Sequence, residues 1–280
     1  MRDDMKIIDM RFRPGTYDTH QGILTNPLYQ AFSAATNFAA RPVHTLEEET
    51  AMLKETGVVH AVVTGRDIGS SVNTVSTNPG MLECIQKYPD YYTGFYGIDP
   101  LLRMKALRAF RHAIHEYGVR GASIDPAMSG VAVNSALYYP FYAACCEEGI
   151  PVAITTGCSC GMPNVVLEHH APWLIDRVAS DFPELPIIVS HGAYPWVMEM
   201  LGVAMRHANV YIDFSACTML FNVEQYVHAA NKQLMNKVLF ASAHPFDHIR
   251  DTLKLYRELP FTDEAREHVM YANAAKLLGL

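Results

Sequence analysis

Residues 187–213 read I-I-V-S-H-G-A-Y-P-W-V-M-E-M-L-G-V-A-M-R-H-A-N-V-Y-I-D. Ile187–Ser190 is a short, β-branched apolar run. A turn with Gly192 and Pro195 follows, then a helix-period segment, Trp196–His207, and a second strand-like run, Val210–Asp213. Strand, helix and strand within one such unit predict two parallel strands joined by a right-handed crossover. A nearly continuous apolar strand is what a parallel sheet needs when both of its faces are covered.

The same rhythm runs outward in both directions. Further strand candidates are Lys6–Met10, Val58–Thr64, Tyr92–Ile98, Gly121–Ile124, Pro151–Thr155 and Val238–Ala241. Helical patterns fall between them, as in Met104–Tyr117, Leu137–Glu148 and Trp173–Phe182; in the first, Leu107, Phe110, Ile114 and Tyr117 form one apolar stripe. Eight strands alternating with helices in 280 residues fit a closed (β/α)₈ TIM barrel, read as one domain over residues 1–280. An open dinucleotide-binding sheet would carry a glycine-rich phosphate turn after its first strand, and none is present. One irregular stretch, residues 14–45, interrupts the pattern with Pro14-Gly15, Asn26-Pro27 and Arg41-Pro42, and a loop of that length is expected to cover a site.

Bulk properties narrow the function. Half the residues are hydrophobic and the net charge is −7, which supports a large core and argues against a nucleic-acid partner. No apolar run approaches the ~18 residues of a membrane helix, and the N-terminal residues lack a signal-peptide pattern, so a cytoplasmic location with no membrane partner is expected. Six cysteines in this length do not make a disulfide framework.

In a TIM barrel the chemistry sits at the C-terminal strand ends. Those ends here offer Asp9, Arg11 and Arg13; Arg66 and Asp67; Asp99; Asp125; Thr155 and Thr156; His191; Asp213 and Ser215; and Ser242, Ala243 and His244. Period-2 alternation places Asp9, Arg11 and Arg13 on one face of the first strand, toward the barrel mouth.

Several segments together resemble a known family: Ile7-Ile8-Asp9-x-x-x-x-Pro14, Pro151-Val-Ala-Ile-Thr-x-Gly157, Phe182-Pro183 through Ser190-His191-Gly192 to Pro195-Trp196, Asn209-Val-Tyr-Ile-Asp213, Phe240-Ala-Ser242-x-x-Pro245 and the closing Asn273-Ala-Ala-Lys-Leu-Leu. They are similar to the amidohydrolase superfamily, in the branch holding aminocarboxymuconate-semialdehyde decarboxylase, resorcylate-type decarboxylases and pyrone-dicarboxylate lactonase. The resemblance covers nearly the whole chain and implies a (β/α)₈ barrel. Its metal-dependent members bind a divalent ion through His-x-His on the first strand, a histidine on the fifth, another on the sixth and an aspartate on the eighth. By that resemblance these positions fall on Arg11, Arg13, Thr155, His191 and Ala243. Only His191 is retained, and guanidinium groups do not ligate metals. The expectation is no metal and no cofactor.

Arg11 and Arg13 then become candidate catalytic residues that hold a substrate anion or a developing oxyanion, because the guanidinium fork matches a carboxylate. Their competing role is structural pairing with Asp9, Asp67 or Asp99. His191, with His244 beside the missing aspartate, is the acid/base candidate. Arg66, Asp67, Asp125, Thr155, Thr156, Cys158 and Asp213 are expected to line the substrate pocket. Cys158 and Cys160 also allow a rebuilt metal site with His191 and His244, or a nucleophilic thiol, although small residues shaping a tight loop explain them as well. His169-His170, before Pro172, reads as structural.

The first expectation is a metal-independent hydrolase of a small carboxylated or otherwise anionic substrate, such as a lactone, a cyclic or aromatic compound or a β-keto acyl compound. The alternatives are a decarboxylase of an aromatic or muconate-type acid and a barrel that binds a ligand without catalysis. Related barrels often dimerise, so a homodimer is a possible partner state.

Overall fold

The structure, a computed structural model, describes residues 5–157, 162 and 164–280. Its eight strands are β1 (Ile7–Phe12), β2 (Val58–Thr64), β3 (Tyr92–Gly97), β4 (Ala122–Ile124), β5 (Val152–Thr155), β6 (Ile187–Ser190), β7 (Val210–Asp213) and β8 (Val238–Leu239). They pair in sequence order, every pair parallel. Backbone bonds close the seam between the last strand and the first. Met10 N–H donates to the Phe240 carbonyl at 3.0 Å, Ala243 N–H to Arg11 at 3.0 Å and Arg13 N–H to His244 at 3.1 Å. The result is the (β/α)₈ barrel that the alternating pattern predicts, with strand boundaries within a residue or two of those read from apolar runs.

Two cores follow from the alternation of strand side chains. Ile8, Val62, Phe95, Ala153, Ile188 and Leu239, from six different strands, fill the barrel floor. Ile7, Val63, Ile124, Ile154, Val189 and Ile212 point outward into the larger layer beneath the helices. The helix Met104–Tyr117 buries Ala106, Leu107, Phe110 and Ala113 and stops at Gly118, whose φ of +72° suits glycine. Tyr117, expected at the end of the stripe, is instead exposed just before that cap.

The stretch 14–45 is more ordered than an irregular loop. It contains helices Tyr17–Leu24 and Gln30–Ala35 and single turns Pro27–Tyr29 and Phe38–Ala40. Asn26 accepts from Leu28 N–H at 2.9 Å and Pro27 occupies the first turn position, so the breakers start a helical turn here. Ile23, Tyr29 and Phe38 pack with Ile68, Met128 and Met162 over the barrel mouth, as the covering role requires. Arg41 fastens the end of this cover to the eighth strand's loop, donating to the Pro245 and Phe246 carbonyls at 2.7 and 3.2 Å.

Gly97, at the end of β3, holds the second strand's exit in place. Its N–H donates to Asn78 Oδ1 at 2.7 Å, and Asn78 Nδ2 donates back to its carbonyl at 2.9 Å. A Cβ there would lie 2.5 Å from backbone atoms of Arg66. Gly97→Ala is therefore expected to lower stability by about 2–3 kcal/mol, measured by urea unfolding.

Candidate active site

The pairing of the first two strands shifts twice: β2 carries an extra residue between the partners of Ile7 and Ile8, and β1 carries one between Asp9 and Phe12. Asp9 pairs with Ala61 and Phe12 with Val63, so three steps of β1 oppose two of β2. Such a bulge bends the strand and re-aims its side chains. Ile8 before it packs the floor, and Arg11 and Arg13 after it turn into a cavity at the mouth. Asp9 stays in the seam, where its carboxylate accepts from Arg11 N–H at 3.0 Å, Ser242 N–H at 2.9 Å and Ser242 Oγ at 2.5 Å.

The cavity measures about 200 Å³ and is lined by Arg11, Arg13, Arg66, Thr155 and His191 together with Tyr29, Phe32, Met128, Met162 and Phe246. Arg11 is held by neutral groups: Nη2 donates to Thr155 Oγ1 at 2.9 Å and Nη1 to Ser190 Oγ at 3.3 Å. Arg66 Nη2 forms a buried ion pair with Asp125 at 2.9 Å, and its Nη1 donates to the Tyr29 hydroxyl. Arg13 is 4% exposed, yet its Nε and Nη2 have no hydrogen-bond partner among the described residues. Neither Arg11 nor Arg13 forms an ion pair with Asp9, Asp67 or Asp99. The structural alternative considered for them is absent.

Charge states follow from these surroundings. Burial, with the neighbouring Arg66 and Arg11 charges, pushes Arg13 well below the usual guanidinium value, so an added anion would relieve it. Burial alone would raise the Asp125 carboxyl, but the Arg66 charge and hydrogen bond outweigh it and bring the pKa to about 2. Burial, aided by Arg11, lowers His191 to about 4. Its Nδ1 lies 2.7 Å from the Ser215 carbonyl, which can only accept. The proton is thus on Nδ1, and Nε2 keeps its lone pair. His191, Gly192 and Ala193 all have positive φ, a tight turn that Tyr226 fastens by donating to the Gly192 carbonyl at 2.6 Å.

The other expected site residues separate into groups. Asp213 lies under the site, where Oδ1 accepts from His191 N–H at 3.3 Å and Ser215 Oγ at 2.5 Å. Thr156 donates to the Ser190 carbonyl and accepts from Ala193 N–H at 2.7 Å, which makes it part of the framework. Asp67 lies outside the cavity, and its Oδ1 is 3.4 Å from Gly69 N–H. Cys158 and Cys160 lie outside the described residues. His170 is closer than its sequence position implied, sharing a small recess with Asp125, Thr155 and Thr156.

His244 does not line the arginine cavity. It faces an adjoining cavity of about 540 Å³ with His44, Glu49 and His248. Its Nε2 is 3.0 Å from Glu49 Oε2, an ion-pair distance without hydrogen-bond alignment, and His44 Nδ1 meets Oε1 at 2.7 Å. Glu49 is buried; burial raises its pKa, but the contacts with His244, Gly15 and His44 outweigh that and hold it low. Sequence reasoning missed Glu49, whose only local signal is the Thr45/Glu48 capping box beside it. It also missed Tyr29 and Phe32, three residues apart within the covering segment.

The amidohydrolase-2 family model matches residues 17–280. The chain belongs to the amidohydrolase family. No curated protein matches the sequence. Among solved structures it is similar to an uncharacterised TIM-barrel protein, Bb4693, from Bordetella bronchiseptica, with 27% identity over 98% of this chain and 99% of the other and a TM-score of 0.80. It also shares its fold with a dihydroxybenzoic acid decarboxylase from Polaromonas sp. JS666 holding manganese and 2-nitroresorcinol (16% identity, 99% and 97% coverage, TM-score 0.68). A third similar structure is 5-carboxyvanillate decarboxylase LigW2 from Novosphingobium aromaticivorans with manganese (16%, 99% and 97%, 0.72).

Those manganese-bound folds make a metal worth testing against the residues present. Arg11 and Arg13 bring fixed positive charge and no lone pair to the place where a cation would need donors. Among the described residues, no group of three or more His, Cys, Asp or Glu side chains is placed to hold a metal ion. The described residues do not fit one.

Acid titration tests the buried charge states. His191 and His170 are both lowered to about 4 by burial, so between pH 6.5 and 4 only the unfolded chain takes up their protons, and stability falls with pH. Asp9, raised to about 6 by burial, works in the opposite direction over the same window. His191→Gln should reduce the stability loss between pH 6.5 and 4.5 by about 2 kcal/mol, read from urea midpoints at each pH.

Proposed function

We propose that this amidohydrolase-family barrel decarboxylates a small aromatic monocarboxylic acid, using Arg13 and Arg11 as the carboxylate anchor. The observation that carries this reading is the Arg13 guanidinium, buried at the cavity wall with two nitrogens unpartnered. A buried ion without a counter-charge is strongly unfavourable, and its persistence is understood if a ligand supplies the missing anion. Arg11, Arg13 and Arg66 feel the carboxylates of Asp125 and Asp213, which leaves one positive charge for a monoanion.

The walls favour a ring. Tyr29, Phe32, Met128, Met162 and Phe246 are flat or polarisable surfaces. An apolar cavity of about 150 Å³ takes benzene, so about 200 Å³ suits one substituted ring. The similar decarboxylases act on dihydroxybenzoic acid and 5-carboxyvanillate, single-ring acids of that size. Family membership and these neighbours favour decarboxylation over the hydrolysis expected first. Hydrolysis remains a second reading on one observation, the neutral His191 whose Nε2 lone pair could activate water.

The test is to incubate the enzyme with carboxyl-labelled 2-hydroxybenzoate and 2,6-dihydroxybenzoate and collect labelled carbon dioxide. Release of carbon dioxide is the expected result. Its absence, together with acid release from aryl esters or lactones, would establish the hydrolytic reading instead. Arg13→Met should weaken benzoate binding, measured by calorimetry, by about 100-fold. The same change should stabilise the ligand-free protein by about 1–3 kcal/mol, because it removes an uncompensated buried charge. A variant that lost stability and kept its benzoate affinity would refute the anchor.

A further inference from the structure

Decarboxylation of an aromatic acid requires a proton for the ring carbon that loses the carboxylate, and most groups around the cavity cannot give one. Arg66 holds its proton tightly beside Asp125, and Arg11 and Arg13, although burial lowers both, face the substrate carboxylate, whose charge favours their protonated form. Asp125 is ionised and paired with Arg66. His191 is neutral, its one N–H committed to the Ser215 carbonyl, so it can only accept. Thr155 is an aliphatic alcohol that accepts from Arg11. Asp247 lines the cavity rim and is the competing acid: partial burial raises its carboxyl above the ordinary value, against the opposing charge of Arg41, but the residue is solvent-exposed where Tyr29 is buried.

Tyr29 differs from all of these. It is 5% exposed, its oxygen accepts from Arg66 Nη1, and the Arg66 guanidinium carbon lies 5.5 Å from the centre of its ring. Its own proton meets only the Met128 thioether at 3.7 Å, a weak acceptor. The Pro27–Tyr29 turn and the Phe246 ring, 5.0 Å away, fix it at the cavity wall. We infer that Tyr29, delivered by the covering segment and backed by Arg66, is the catalytic proton donor; this rests on the decarboxylase reading.

The step balances without a further reactant. The Tyr29 O–H bond breaks, and its proton forms a C–H bond at the carboxylate-bearing carbon using a ring electron pair, helped by an ortho hydroxyl. The C–C bond then breaks, its electron pair restores the aromatic ring, and carbon dioxide leaves. The Tyr29 phenoxide is stabilised by the permanent charge of Arg66 until water returns the proton. Burial, which raises the phenol's pKa, keeps Tyr29 protonated between turnovers.

The experiment compares wild type, Tyr29→Phe and a 3-fluorotyrosine replacement of Tyr29, with 2,6-dihydroxybenzoate as substrate and benzoate as binding probe. Expected results are a kcat loss of at least about 100-fold in Tyr29→Phe, with benzoate affinity within about threefold of wild type. The fluorinated side chain preserves shape but is a stronger acid, so it should move the alkaline limb of the kcat–pH profile to lower pH. A structural role would leave that limb in place. Turnover of Tyr29→Phe within about threefold of wild type overturns the assignment alone, as does loss of benzoate binding in step with rate. A greater loss in Asp247→Asn than in Tyr29→Phe would move the donor to Asp247. No carbon dioxide from wild type overturns the decarboxylase reading and this one with it, which separates the two failures.

Discussion

At the barrel mouth three buried guanidiniums share two carboxylates, and the rest of the site is arranged around that imbalance. Asp125 is committed to Arg66, and Asp213 serves backbone and hydroxyl donors around His191. Neither reaches Arg13 as a partner. A protein interior tolerates such a charge only where the surroundings prevent relaxation. Here the neutral hydroxyls of Thr155 and Ser190 anchor Arg11 without cancelling its charge, so the pair on β1 stays electrostatically available.

The barrel supplies the rigidity. The bulge in β1 decides which side chains face inward, and the β8–β1 seam fixes that strand from its other edge through Asp9 and Ser242. Gly97 and Asn78 pin the exit of β2 that carries Arg66. The covering segment contributes Tyr29 and Phe32, and Arg41 ties it to the loop after β8. Side chains from distant parts of the sequence therefore converge on about 200 Å³.

The barrel was legible in the sequence because its signals are local: apolar runs of strand length, helical stripes and turn residues between them. Arg11, Arg13, Arg66, Thr155 and His191 were legible because strand ends in this architecture point to one place. What escaped depends on distance in the chain. The β1 bulge is a mismatch between two strands, and no residue type in Asp9–Phe12 announces it. Asp67 and Asp125 both follow strand ends, yet only Asp125 meets a cavity arginine. His244 stood beside a family ligand position, but it turns away to Glu49, a helix residue whose approach depends on packing. Tyr29 lay inside a segment readable as a cover, without a pattern to say which aromatic would point inward.

Positive charge carried by Arg11 and Arg13 differs in kind from charge carried by a bound ion. A bound ion equilibrates with whatever pool surrounds the protein, and it can be exchanged for a competitor or stripped by a chelator. A guanidinium is covalently part of the chain, and an anion seated beside it favours the protonated form that burial alone opposes at Arg13. An anchor of this kind is complete once the chain has folded and needs no loading step.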